Sequence, residues 1–334
     1  MAKKPKIALI STGGTITSMS TVGELDVFEY SSTGLRLDAN QMLEKFHHCK
    51  TVADIIAVPF DTLLSTAVSF PEWKRLAQTI TDLQVQHPDL SGVVILHGTS
   101  SMEETAYALS LTLKTDLPVV LTGSQRPASA LSSDAGLNIF NAVRIASTPE
   151  AREMGVLISL NDEIHAAREV TKNSNGRLQT FVSPDFGALG HADGDRIVFY
   201  RKPMRRHNPS TEFDILSMDT LPRVDIAYSY AGDDGVAIKA FMQAGAKGIV
   251  AAAFAPGLLN PQEDLAMRDA IQRGVKVVIS SRAGSGRTFA PSKSRAAGYI
   301  QAENLNPQKA RILLALALTV TEDRDQIQRI FEQY

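Results

Sequence analysis

The chain has 334 residues, of which 44% are hydrophobic and 21% charged, an ordinary globular composition with material for two cores. Its 34 basic and 36 acidic side chains leave a formal net charge of −2, too little field to draw in nucleic acid or an acidic lipid surface. Function classes that depend on bulk charge are excluded at the outset.

The first buried-strand pattern, near residues 6–12, follows Lys3, Lys4 and Lys6 and runs into Ser11-Thr12-Gly13-Gly14-Thr15. Its apolar stretch ends within about five residues, too short for a signal h-region or a membrane span, so the cytoplasm is the simplest location. Residues 16–36, rich in Ser, Thr and Gly, read as a long mobile loop. Such a loop could be a lid or simply a surface excursion. Cys49 is the sole cysteine, so no intrachain disulfide forms, and His47-His48-Cys49 lacks the second ligand set of a zinc site.

Further strands are expected near 53–59, 92–98, 118–124 and 155–161, with helical periodicity at Phe70 to Leu83, Met102 to Leu113 and after Asp134. This alternation is βαβ grammar and predicts a parallel sheet. The strand near 92–98 ends in a second glycine-bracketed turn, His97-Gly98-Thr99-Ser100-Ser101. Open α/β sheets place their chemistry at the carboxyl ends of strands, where glycine lets backbone N–H groups approach a ligand. A threonine there could attack a carbonyl while backbone donors hold the oxyanion. A phosphate cradle or a plain turn would look similar, but neither segment contains G-x-G-x-x-G or the Gly-Lys-Ser/Thr of a P-loop.

After the strand near 155–161 comes Val170-Thr171-Lys172. Lys172 is a candidate base, a role that requires burial or a neighbouring cation to lower its pKa. The basic run Arg201-Lys202-Pro203-Met204-Arg205-Arg206-His207 reads as linker or subunit contact. A second alternation follows, with strands near 224–230, 247–253 and 275–281 and helices near 235–244, 262–273 and 306–318, the last opening on Asn306-Pro307 as N-cap and N1. Ile327, Ile330 and Phe331 can pack the chain end. The expected architecture is α/β, a larger N-terminal parallel-sheet domain (1–200, catalytic), a linker (201–222) and a smaller C-terminal α/β domain (223–334).

Several of these segments together carry a resemblance: Thr12-Gly13-Gly14-Thr15-Ile16, His97-Gly98-Thr99 with Met102-Glu103-Glu104-Thr105-Ala106, Gly123-Ser124-Gln125-Arg126-Pro127, Val170-Thr171-Lys172 and Leu305-Asn306-Pro307-Gln308-Lys309-Ala310-Arg311. The chain resembles the bacterial-type L-asparaginases and glutaminase-asparaginases nearly end to end. The resemblance implies a two-domain amide hydrolase needing no cofactor or metal, acting on a small molecule and assembling as a homotetramer. It matches Thr15 to the nucleophile, Thr99 to the second catalytic threonine, Lys172 to that threonine's lysine and Tyr30 to the lid tyrosine. Gly14, Phe60, Asp61, Ser100, Ser124 and Leu258 fall at substrate-contacting positions.

Four recognition positions depart from the family pattern. Ser100 stands where an aspartate holds the substrate's α-ammonium, Phe60 where a serine grips the α-carboxylate, and Leu258 where an asparagine reaches a neighbouring subunit's site. Residues 283–298 contain no Asp or Glu, carrying Arg287, Lys293 and Arg295 instead. An unpaired ammonium in a partly dry pocket costs several kcal/mol. The expectation is therefore a pocket more apolar than an asparaginase's and a substrate without a free α-amino group: an amide, imide, lactam or N-acyl compound. Two alternatives stand beside it. One is an L-asparaginase or glutaminase with a rewired pocket, for example with Asp61 supplying the missing anion; the other is a small-molecule-binding homologue without catalysis.

Overall fold

A computed structural model describes residues 3–32, 34–289 and 291–334, with Lys293 described by its backbone alone. The chain divides into two compact units after Leu216.

In the first unit the strands are β1 (Lys6–Ser11), β2 (Asp54–Val58), β3 (Leu90–Leu96), β4 (Val119–Thr122), β5 (Val156–Leu160), β6 (Glu163–Ala166), β7 (Thr171–Lys172), β8 (Phe181–Val182), β9 (Gly190–Ala192) and β10 (Ile197–Phe199). The helices are α1 (Ala39–Lys45), α2 (Phe70–Gln86), α3 (Met102–Thr112) and α4 (Ala135–Ala146). Eight strands form one sheet in the order β10-β9-β6-β5-β4-β3-β1-β2. The five from β2 to β5 are parallel, as the alternating pattern predicts, but β6, β9 and β10 extend the sheet antiparallel, so it is mixed. The reason is local. Asn161 and Asp162 adopt left-handed φ of 51° and 65°, which turns the chain straight back on β5 instead of into a crossover helix. A separate hairpin pairs β7 with β8.

Parallel strands covered on both faces should be continuously apolar, and Ile7 to Ile10 and Val93 to Leu96 are fully buried. Helix α2 starts with Ser69 and Glu72 in a capping box and turns Trp73, Leu76, Ala77, Ile80 and Leu83 inward, three and four residues apart. Helix α3 springs directly from the second glycine turn and is buried along most of its length.

The second unit has a parallel four-stranded sheet, β11 (Val224–Tyr228), β12 (Gly248–Ala253), β13 (Lys276–Ser281) and β14 (Ile300–Gln301), in that order. Its helices are α5 (Val236–Gln243), α6 (Pro261–Gln272), α7 (Ser292–Ala296), α8 (Pro307–Ala317) and α9 (Arg324–Gln333). Asn306 caps α8 by accepting from the Lys309 N–H at 3.1 Å, with Pro307 in the first turn, as its sequence indicates. Ile327, Ile330 and Phe331 form the buried face of α9. No helix among the described residues is long and apolar enough to cross a membrane.

Candidate active site

Strand register brings the two glycine turns together. Ser11 pairs with Leu96, so Thr12 and His97 leave the sheet side by side, the Thr12 N–H donating to the Leu96 carbonyl at 2.9 Å and the His97 N–H to the Thr122 carbonyl at 2.9 Å. Gly13 and Gly14 then take φ of 99° and 92°, the left-handed region that favours glycine. Gly14 has a second requirement. A Cβ there would lie 2.3 Å from the Gly98 Cα, so the two turns touch backbone to backbone.

Each threonine has one side-chain partner. The Thr15 Oγ1 lies 3.0 Å from the Tyr30 hydroxyl, and Lys172 Nζ donates to Thr99 Oγ1 at 2.8 Å. Burial pushes the Lys172 ammonium below its ordinary pKa, opposed by the Glu103 carboxylate. Glu103 is itself buried in the first turn of α3, and its Oε1 accepts from the Lys172 backbone N–H at 3.1 Å and the Thr171 hydroxyl at 3.2 Å. It thereby fixes the β7 backbone from which Lys172 reaches Thr99. Among the described residues neither the Gly14 nor the Thr99 N–H has a hydrogen-bond acceptor, leaving both able to receive developing negative charge.

Among the described residues of the 16–36 loop, the two ends pair as a stem. Met19 N–H donates to Leu35 O at 3.0 Å, Leu37 N–H to Thr17 O at 2.9 Å, and Ser18 bridges Arg36. The tip docks through Leu131 N–H to Glu24 O at 2.9 Å and Ser20 N–H to Ser129 Oγ at 2.8 Å. Asp26 Oδ1 accepts the Phe28 and Glu29 N–H groups at 2.9 and 2.7 Å, capping the short 3-10 turn that carries Tyr30. That turn leaves the Tyr30 hydroxyl in reach of Thr15.

The expected recognition positions Phe60, Asp61, Ser124 and Leu258 each have partners of their own. Ser100 is exposed beside Thr99. Phe60 is partly buried beneath the Arg75 guanidinium, 4.8 Å from its ring centroid, and Asp61 is spent on an exposed ion pair with that same arginine at 2.9 Å. An Asp61 carboxylate turned to a substrate ammonium is therefore not the arrangement observed. Ser124 is buried and donates its hydroxyl to the Arg126 carbonyl at 2.6 Å, so that hydroxyl closes a turn of the protein. Leu258 belongs to the second unit, where its backbone pairs with Phe254 and its side chain lines a cavity with Leu259, Pro261 and Leu265.

Family-model matches cover both units: residues 6–205 match "Asparaginase, N-terminal" and residues 223–331 match "Glutaminase/Asparaginase C-terminal domain". The chain belongs to the asparaginase family. It is an amidohydrolase by that membership, acting on carbon–nitrogen bonds. The L-asparaginase 2 of Bacillus subtilis is 38% identical over 331 residues, covering 99% of this chain and 87% of the relative. The Glutaminase-asparaginase of Pseudomonas fluorescens is 34% identical over 336 residues, covering 99% and 91%. Among solved structures, a probable cytoplasmic L-asparaginase from Campylobacter jejuni superposes with a TM-score of 0.94 at 38% identity, covering 99% of this chain and 100% of its own.

Sequence reasoning passed over three supports of the asparaginase-family site. Glu103 figured only within the family segment Met102-Glu103-Glu104-Thr105-Ala106, with no role of its own. Asp26, whose carboxylate accepts the N–H two residues on, is an Asx-turn residue, a local signal that could have been read. The third is the buried group behind Gly98: His97 Nδ1 lies 2.8 Å from the Gly98 carbonyl and Nε2 3.0 Å from Thr105 Oγ1, which accepts from Trp73 Nε1 at 3.1 Å. Burial holds the His97 pKa down at about 4, so its ring is neutral at ordinary pH.

Proposed function

We propose that the chain hydrolyses the side-chain amide of L-asparagine, with L-glutamine as a second substrate, through an acyl-enzyme on Thr15. The pairing of Lys172 with Thr99 beside the Thr15 and Tyr30 pair is the observation that carries this reading, and the relatives named for asparagine and glutamine favour it over a substrate without an α-amino group.

Thr15 Oγ1 bonds to the amide carbon while its proton passes through the Tyr30 hydroxyl towards the leaving nitrogen, and the Gly14 and Thr99 N–H groups receive the oxyanion. The carbon–nitrogen bond breaks, ammonia departs, and an ester on Thr15 remains. Water then attacks that ester, giving its proton to the Thr99 and Lys172 pair, and Thr15 regains a proton as the acid leaves. The net change is amide plus water to acid plus ammonia. We assign these roles to residues 1–200 as the catalytic domain, within a cytoplasmic homotetramer, the assembly that family resemblance supports.

Ammonia release from L-asparagine and L-glutamine tests the reading. Thr15→Ala is expected to lower kcat by at least about a thousandfold with the fold intact. Full turnover by that variant would remove Thr15 as nucleophile.

A second reading, an amide without a free α-ammonium, is favoured by Ser100 and by the commitment of Asp61 to Arg75. Ser100→Asp separates the two. A gain in asparagine kcat/KM above about tenfold means that the wild-type pocket lacks a counter-charge, whereas a change below about threefold means that another group already meets the ammonium.

A further inference from the structure

Gly98 is a glycine by necessity. A Cβ there would come within 2.7 Å of the Ser65 Cβ and 3.3 Å of the Gly14 Cα. A residue without Cβ is also the one whose adjoining peptides rotate most freely. The Gly98–Thr99 peptide, which carries the Thr99 N–H, therefore needs an external restraint on its direction.

The restraint lies in the core. A carbonyl oxygen only accepts, so the 2.8 Å contact at Gly98 O requires the proton on His97 Nδ1. In a neutral imidazole Nε2 is then an acceptor, and the Thr105 hydroxyl donates to it. Trp73 Nε1–H, which can only donate, completes the sequence by giving its proton to Thr105 Oγ1. Every hydrogen bond from the indole to the carbonyl has one possible direction. The peptide is planar and trans, so holding its C=O towards His97 turns its N–H the opposite way. That N–H, on Thr99, has no acceptor among the described residues.

We propose that His97 is a positioning residue: fixed as the Nδ1–H tautomer by Trp73 and Thr105, it anchors the Gly98 carbonyl and so aims the Thr99 N–H as an oxyanion donor. The catalytic consequence rests on the amidase reading above; the tautomer and the peptide orientation do not. His97 touches neither substrate nor nucleophile, and its effect passes entirely through one backbone amide.

The test uses the full chain labelled with ¹⁵N, read by histidine ¹⁵N shifts and the Thr99 amide resonance, alongside ammonia release from L-asparagine. Wild type is expected to show His97 protonated at Nδ1. Thr105→Val removes the hydroxyl that holds Nε2 and with it the fixed orientation of the ring; the Thr99 amide resonance should move, and kcat should fall several-fold. His97→Leu should lower kcat by about a hundredfold, the scale of losing one oxyanion donor, with KM changed less than about twofold. His97→Asn, which keeps a donor close to the Nδ1 position, should recover about tenfold of that loss.

An Nε2–H tautomer in wild type, an unmoved Thr99 amide in Thr105→Val, or a folded His97→Leu enzyme with unchanged kcat would each overturn the proposal. If His97→Leu fails to fold, the Thr105→Val arm decides. If wild type releases no ammonia from asparagine or glutamine, the substrate reading fails, and the two resonances still judge the positioning role on their own.

Discussion

The two glycine turns end adjacent strands of one sheet and touch through Gly14 and Gly98, yet they recruit their partners by opposite means. Thr15 is met by Tyr30 from only 15 residues along the chain, on a loop whose tip is held by backbone and small-hydroxyl contacts at the surface. Thr99 is met by Lys172 from 73 residues away, on a hairpin fastened by the buried Glu103. The difference separates a half held by surface contacts from a half fastened in the interior. A segment held by few, exposed hydrogen bonds belongs to the low-stability end of a structure. The second holds a partly buried lysine donating to a threonine, and a proton relay gains nothing from loosening.

The largest effect should therefore come from the fixed half. Lys172→Met is expected to lower kcat by about a thousandfold, the range of a lost general acid–base group. Wild-type kcat/KM should rise with pH through a Lys172 titration lying below the ordinary lysine value of 10.5, because burial disfavours its proton, and the rise should vanish in the variant. The linkage to stability has a definite sign. With the folded pKa lowered, the unfolded chain binds the proton more tightly, so stability gains as pH climbs from the folded towards the unfolded value. Stopped ammonia assays across pH, paired with thermal melts, read both. A variant with near-normal kcat would make Lys172 a structural anchor of Thr99 and nothing more.

How far this contrast was legible in the sequence follows from the reach of each interaction. Continuous apolar runs such as Ile7 to Ile10 mark parallel strands without reference to anything distant, and the Asn306-Pro307 helix start is equally local. Strands β6 to β10 escaped because they are two to four residues long and earn their place through pairing, not composition. Within the site, the two threonine turns and Lys172 stood out from the residues themselves, whereas Tyr30 and the pairing of Lys172 with Thr99 came through the family resemblance, which supplies long-range proximity that spacing cannot. Trp73, Thr105 and His97 converge from α2, α3 and the end of β3, and in one dimension each reads as an unremarkable core position. Asp61 shows the converse. Its charge invited a role at the substrate, and only the geometry reveals Arg75 as its partner.

On the surface-held half, Tyr30→Phe removes one hydroxyl and leaves the packing of its loop alone. A loss of about a hundredfold in kcat with an unchanged melting temperature is expected, at the lower end for a proton-transferring group. If kcat holds and KM rises instead, Tyr30 closes the pocket without handling the proton, and the two halves differ in chemistry as well as in how they are held.

The smallest effect is expected one step further from Thr15, at the turn that presents Tyr30. Asp26 makes no contact with the nucleophile; its carboxylate accepts from Ser20, Phe28 and Glu29 and is held below its ordinary pKa first by the Ser20 hydroxyl and then by the Phe28 N–H. Since that pKa is depressed, the cap is complete above the usual carboxylate range and is lost only as pH falls below it. Asp26→Ala should lower kcat about fivefold, the effect of a lost cap on the loop, whereas Asp26→Asn, whose Oδ1 still accepts both N–H groups, should stay within about twofold. Hydrogen exchange at residues 17–32 supplies the independent reading. Faster exchange there in the alanine variant, with β3 and α3 unaltered, is the outcome that a separable loop requires; exchange that also rises around Gly98 would mean that the two turns open together and that their contact through Gly14 couples them.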